Sequence, residues 1–195
     1  MYEGCGKMQK HLDQFRQDLH LIPETSFTEF KTQKYLLTAL QNMGYNPVKI
    51  AETGLYVYID NHHSETIAFR TDIDGLPLQE ETGLSYQSTH PGYMHACGHD
   101  GHMAMMLGVA DYLKDKQDKL QKNVLLLFQP AEESTGGAKR IVDTGIFTTF
   151  HVIAIFGIHL YPEIEEGVLA SKPGEFMAMV NEVDIIIKGK SAHGA

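Results

Sequence analysis

Asn123-Val124-Leu125-Leu126-Leu127-Phe128 decides the fold class. A strand wetted on one face alternates polar and apolar residues, and this run after Asn123 does not. It predicts a central strand covered on both faces. Val152 to Phe156 has the same signature and predicts a second central strand. Thr66-Ile67-Ala68-Phe69 predicts a short strand leading into Asp72. Leu55, Val57 and Ile59 alternate with Tyr56 and Tyr58, which predicts a half-exposed strand.

Helical patterns fill the intervals. Met8, Leu12, Phe15 and Leu19 repeat at helical spacing over residues 7–20, and Pro23 stops that helix. Ser26-Phe27-Thr28-Glu29 has the form of a capping box. The helix it opens is expected to bury Phe30, Leu36, Leu37, Leu40 and Met43 and to end at Gly44. Residues 101–114, rich in Met, Ala and Leu, predict a buried helix. Gly136 to Asp143 predicts another, closed by Gly145, and Val180 to Lys188 predicts a strand that begins something new. Strands alternating with helices argue for a layered α/β domain.

The 195 residues are 43% hydrophobic, enough for one globular domain or one plus a fragment. A net charge of −9 without a basic tract argues against nucleic acid as a partner. The longest apolar runs are too short to span a membrane, and the N-terminus does not resemble a signal peptide. Two cysteines make no disulfide framework, so a reduced, cytoplasmic setting is expected.

Chemistry concentrates in Met94-His95-Ala96-Cys97-Gly98-His99-Asp100-Gly101-His102. Cys97 and His99 offer the thiolate and neutral imidazole that zinc prefers. A lone buried cysteine is usually inert, but a loop this rich in Gly and His is unlike core packing. Asp100 and His102 could orient ligands, or His102 could cap the following helix. Adjacent Glu132 and Glu133 ordinarily mark a solvated face. After a buried strand they could instead divide two roles, one holding a metal and the other taking a proton from water. His159 alone would read as a satisfied strand-end histidine. Asp72 and Asp74 could be turn formers before Gly75 and Pro77, with Arg70 as an ion-pair partner of one of them. His62 and His63 suit an exposed turn, and His20 a structural helix exit. Asp72, Glu132/Glu133 and His159 each follow a predicted strand, where open α/β sheets bind their ligands. They are therefore expected on one rim.

The segments Arg16–Glu24, Arg70–Pro77, Met94–His102, Phe128–Glu133 and Gly189-Lys190-Ser191-Ala192-His193-Gly194-Ala195 together resemble one family. It is the amidohydrolase branch of the aminoacylase/carboxypeptidase G superfamily of di-metal hydrolases. Glu29–Gln33, Thr53-Gly54-Leu55 and Arg70–Gly75 look most like its N-acetyldiaminopimelate-deacetylating subgroup. The resemblance implies a layered, zinc-peptidase-like α/β catalytic domain, its N-terminal part over residues 1–178. Residues 179–195 would begin an inserted α+β dimerisation domain. It implies two divalent metal ions (Zn, Mn, Co or Ni), with Cys97, His99, Glu133 and His159 as ligands. Glu132 would be the general base and Asp72 would orient a ligand. Where the wider superfamily has a metal-binding histidine this chain has Arg70. His193 would stabilise the oxyanion in a partner subunit of a homodimer. The implied substrate is a small N-acyl amino acid, cleaved at its amide. A broad N-acyl-amino-acid or hippurate-type amidohydrolase and an inactive metal-binding fragment are the alternatives. Members of the family run to roughly twice this length, so the chain is expected to lack part of its site.

Overall fold

A computed structural model describes residues 5–134, 136–175, 183 and 185–190. The chain divides into two compact units, Met1–Leu160 and Tyr161–Ala195. In the first unit, helix α1 (Cys5–His20) and helix α2 (Phe30–Asn42) precede strands β1 (Val48–Ile50), β2 (Gly54–Ile59) and β3 (Thr66–Asp72). Helix α3 (His99–Leu113), strand β4 (Asn123–Gln129), helices α4 (Gly137–Asp143) and α5 (Ile146–Thr149) and strand β5 (Val152–Gly157) follow. The sheet order is β1-β2-β4-β3-β5. β3, β4 and β5 run parallel to one another, and β2 is antiparallel to β4.

β4 is buried at every position, as its unbroken apolar run predicts. Its side chains alternate between two layers. Val124, Leu126 and Phe128 join Leu55, Val57 and Ile59 of β2 against Leu19, Leu36, Leu40, Met103 and Leu107. Leu125 and Leu127 join Ala68 against Ile141 and Ile146 on the other face. The domain is thus a helix–sheet–helix sandwich, and burying each Leu of β4 contributes about 1.5–3 kcal/mol.

β5 pairs with β3, and Ile153, Ile155 and Phe156 are about half exposed. The second neighbour expected of a central strand is not among the described residues. The capping box is also absent. The N–H groups of Lys31 and Thr32 donate to the Glu24 carboxylate, each at 2.9 Å, while Ser26 Oγ donates to Asp74. Freed from capping, Glu29 turns inward, and Phe30 lies exposed rather than buried.

The second unit shows turns among its described residues, closed by Ile164 N–H to Tyr161 and Val168 N–H to Glu165. Val183 and residues 185–190 carry no strand, and the rest of the strand expected over Val180–Lys188 lies outside the described residues. The expected domain boundary at 178/179 lies outside them as well. Among the described residues no helix is long and apolar enough to cross a membrane.

Candidate metal centre

The rim expected from strand ends exists. Asp72 is the last residue of β3, Glu132 and Glu133 follow β4, and His159 follows β5. Because these strands are parallel, all three ends point the same way. The N-terminus of α3 brings Cys97 and His99 to the same place, and His99 is its first residue.

His99 is the hub. Its Nδ1 donates to the Asp74 carbonyl at 2.8 Å and lies 3.3 Å from Asp74 Oδ1. That bond leaves the Nε2 lone pair facing the centre, buried and without a hydrogen-bond partner. Around Nε2 stand Asp72 Oδ2 at 3.7 Å, Glu133 Oε1 at 3.7 Å and Glu132 Oε2 at 4.0 Å. Cys97 Sγ is 3.7 Å from His159 Nε2, and His159 Nδ1 donates to the Leu160 carbonyl at 2.6 Å. Three donor groups result, Cys97/His99/His159, His99/Glu132/Glu133 and Asp72/His99/His102, each with its donor atoms within 4.8 Å of one another.

Asp72 is firmly held. Arg70 Nη1 donates to it at 2.8 Å and His102 Nδ1 at 2.7 Å. The far nitrogen of His102 accepts the Leu160 N–H at 2.9 Å, which fixes its tautomer and occupies the lone pair a metal would need. Burial by itself would raise the Asp72 pKa. The His102 bond and the charges of His99 and Arg70 outweigh it and hold the carboxyl well below its usual range.

The electrostatics call for a cation. Burial, then the Glu133, Glu132 and Asp72 carboxylates, push the Cys97 thiol up to about 12. Burial disfavours the charged form of His99, but the Asp74 bond and the charges of Asp72, Asp74 and Glu133 win and raise its pKa. Burial raises Glu132 too; His99 and Arg70 oppose that shift, and Asp72 and Glu133 add to it. Glu133 Oε1 is buried without a hydrogen-bond partner, as is His99 Nε2. Two orphaned acceptors 3.7 Å apart, beside a thiol and a second imidazole, fit a divalent metal of borderline softness.

Residues 68–193 match the profile of peptidase family M20/M25/M40. The chain belongs to this family. A relative from Listeria monocytogenes serovar 1/2a named N-acetyldiaminopimelate deacetylase is 46% identical over 183 residues, which is 92% of this chain and 49% of that protein. A Geobacillus thermodenitrificans protein of the same name is 43% identical, over 92% of this chain and 48% of its own length. The chain spans about half the length of the curated relatives it matches. The crystal structure of Bacillus subtilis YXEP, described as a dinuclear metal-binding peptidase of the M20 family, matches with a TM-score of 0.77 and 37% identity. That match covers 82% of this chain and 45% of the other.

The M20 rim gathers Asp72, Cys97, His99, Glu132, Glu133 and His159 as the sequence suggests. His193 lies outside the described residues. Sequence reasoning missed Asp74, which reads as a turn former and turns out to orient His99. His20 is the structural helix exit that the sequence suggests, at the last residue of α1. It is buried between Asp100 Oδ2 at 2.8 Å and Glu80 Oε1 at 3.1 Å, tying the end of α1 to the start of α3.

Proposed function

We propose that the full-length protein hydrolyses the acetamide of N-acetyldiaminopimelate, giving acetate and diaminopimelate on the route to lysine. The observation that carries the hydrolytic part is the convergence of Cys97, His99, His159, Glu132 and Glu133 around one buried, unpartnered imidazole nitrogen. The choice of substrate is supported by the names of relatives 43% and 46% identical to this chain.

In this reading Cys97, His99, Glu133 and His159 hold two divalent ions; Zn, Mn, Co and Ni all suit these donors. The ions would lower the pKa of water and polarise the amide carbonyl. Glu132, 40% exposed at its side chain, is the residue free to meet substrate. It takes the proton of the attacking water and passes it to the leaving amine. Its raised pKa suits both halves of that task. Asp72, Arg70 and His102 keep the wall beside His99 rigid and charged. His193 of a second subunit completes the oxyanion site, so the working form is a homodimer. A thiolate ligand suits the reducing cytoplasm.

The test is kinetics on the metal-loaded full-length protein. A kcat/KM for N-acetyldiaminopimelate at least about tenfold above that for hippurate supports the reading, and the reverse order assigns the protein to the broad amidohydrolases.

A further inference from the structure

We infer that Glu29 is a positioning residue that holds the turn carrying Glu132 through a hydrogen bond to the N–H of Ala131. The inference rests on the assignment of Glu132 as the base.

Ala131 immediately precedes Glu132 and is fully buried with a φ of +52°. An L-residue with a side chain resists that left-handed conformation, so its surroundings must impose it. Glu29 reaches in from the start of α2. Its Oε1 accepts the Ala131 N–H at 2.9 Å and its Oε2 accepts Thr53 Oγ at 2.5 Å. The Ala131 carbonyl in turn accepts the Gly137 N–H at 3.1 Å. A Cβ on Gly137 would sit 1.8 Å from the Pro130 carbonyl oxygen. One on Gly54 would sit 2.8 Å from both the Phe128 oxygen and Pro130 Cδ. Two glycines therefore let neighbouring backbone close on the turn, and Glu29 ties down its strained residue.

Capping does not explain Glu29. It stands at the N-cap of α2, yet its side chain makes no cap bond, and Glu24 serves the first-turn N–H groups instead. Nor does ion pairing, since no cation lies within salt-bridge distance of Glu29 among the described residues. A carboxylate with no exposed surface is costly to bury. Its two bonds both lead to the backbone and side chain beside this turn.

The test uses the full-length, metal-loaded protein. Glu29→Ala is expected to lower kcat by about a hundredfold with KM changed less than about threefold, because the base is misplaced rather than the substrate. Glu29→Gln can accept from Ala131 and donate to Thr53, so it should stay within about threefold of wild type. Glycine adopts a positive φ freely, so Ala131→Gly in the Glu29→Ala background should recover at least about tenfold in kcat. A purely structural role for Glu29 would lower the melting temperature without rescue from a site 102 residues away. A double variant no faster than Glu29→Ala overturns the inference.

If Glu29→Ala does not fold, amide exchange at Ala131 decides. Glu29→Asp, one methylene shorter, should speed exchange there by at least about tenfold; an unchanged rate overturns the inference. Full activity in Glu132→Gln would instead sink the assignment of the base, and the exchange measurement would still report on the tether.

Discussion

β4 and β5 are both apolar, both parallel to β3, and both end in a loop that carries a candidate ligand, yet they are held differently. β4 has β2 on one side, β3 on the other and helices on both faces. The turn beyond it is fixed by Glu29, Gly137 and Gly54. Among the described residues β5 has β3 alone as a strand neighbour, and its apolar side chains stand about half exposed. His159 beyond it is exposed, and its Nδ1 bonds the carbonyl of the next residue, Leu160. Among the described residues one wall of the centre is thus built into the core, and the other is held by a single strand pairing. If Glu132 is the base, as proposed, the group that must be aimed stands on the more tightly packed side.

Substitutions should expose this asymmetry. The largest effect is expected at Glu132. Glu132→Gln should keep its metal and lose about 10²- to 10⁴-fold in kcat, since an amide cannot accept the water's proton. Glu133→Gln should instead lower metal content by elemental analysis; equal metal loss in both variants would erase the division of labour. Next comes the core beneath the rigid turn. Phe128, fully buried, should cost about 3–5 kcal/mol in chemical unfolding when changed to Ala.

Metal affinity should rise with pH. Cys97, its thiol pushed up to about 12, holds a proton that a metal must displace. A chelator-competition titration from about pH 6 to about pH 8 should show a gain of about tenfold per pH unit for each proton released. A flat profile would remove Cys97 as a protonated ligand. The smallest effect is expected on the edge strand. In a polypeptide limited to residues 1–195, Phe156→Ala should change stability by less than about 1 kcal/mol, since that side chain is 54% exposed. In the full-length protein a larger cost would show that another segment covers β5. An equal cost in both would leave β5 a true edge.

Much of this was legible in the sequence, for definable reasons. The run Val124–Phe128 and the alternation of Leu55, Val57 and Ile59 are local patterns set by burial, and both gave correct strands. Strand ends then place Asp72, Glu132, Glu133 and His159 on one rim. What failed was non-local. An apolar strand does not say which segment covers it, and the second neighbour expected for β5 is not among the described residues. Ser26 and Glu29 matched a capping box, but Asp74 and Ala131, distant in sequence, compete for their side chains and win. Phe30 kept a helical spacing and still faces solvent. Asp74 and His102 lie within the Arg70–Pro77 and Met94–His102 segments, but what they do rests on bonds to His99 and Asp72 that no local pattern specifies.

Cys97 and its histidine and carboxylate neighbours are proposed to hold a divalent metal. Cobalt titration of the metal-free full-length protein tests this, because a cobalt–thiolate bond has a charge-transfer absorption that oxygen and nitrogen ligands lack. This band is expected to grow to saturation in the wild type and to be missing in Cys97→Ala, whose cobalt binding is weaker. A wild type without the band, or a Cys97→Ala variant that keeps both the spectrum and the affinity, would contradict it.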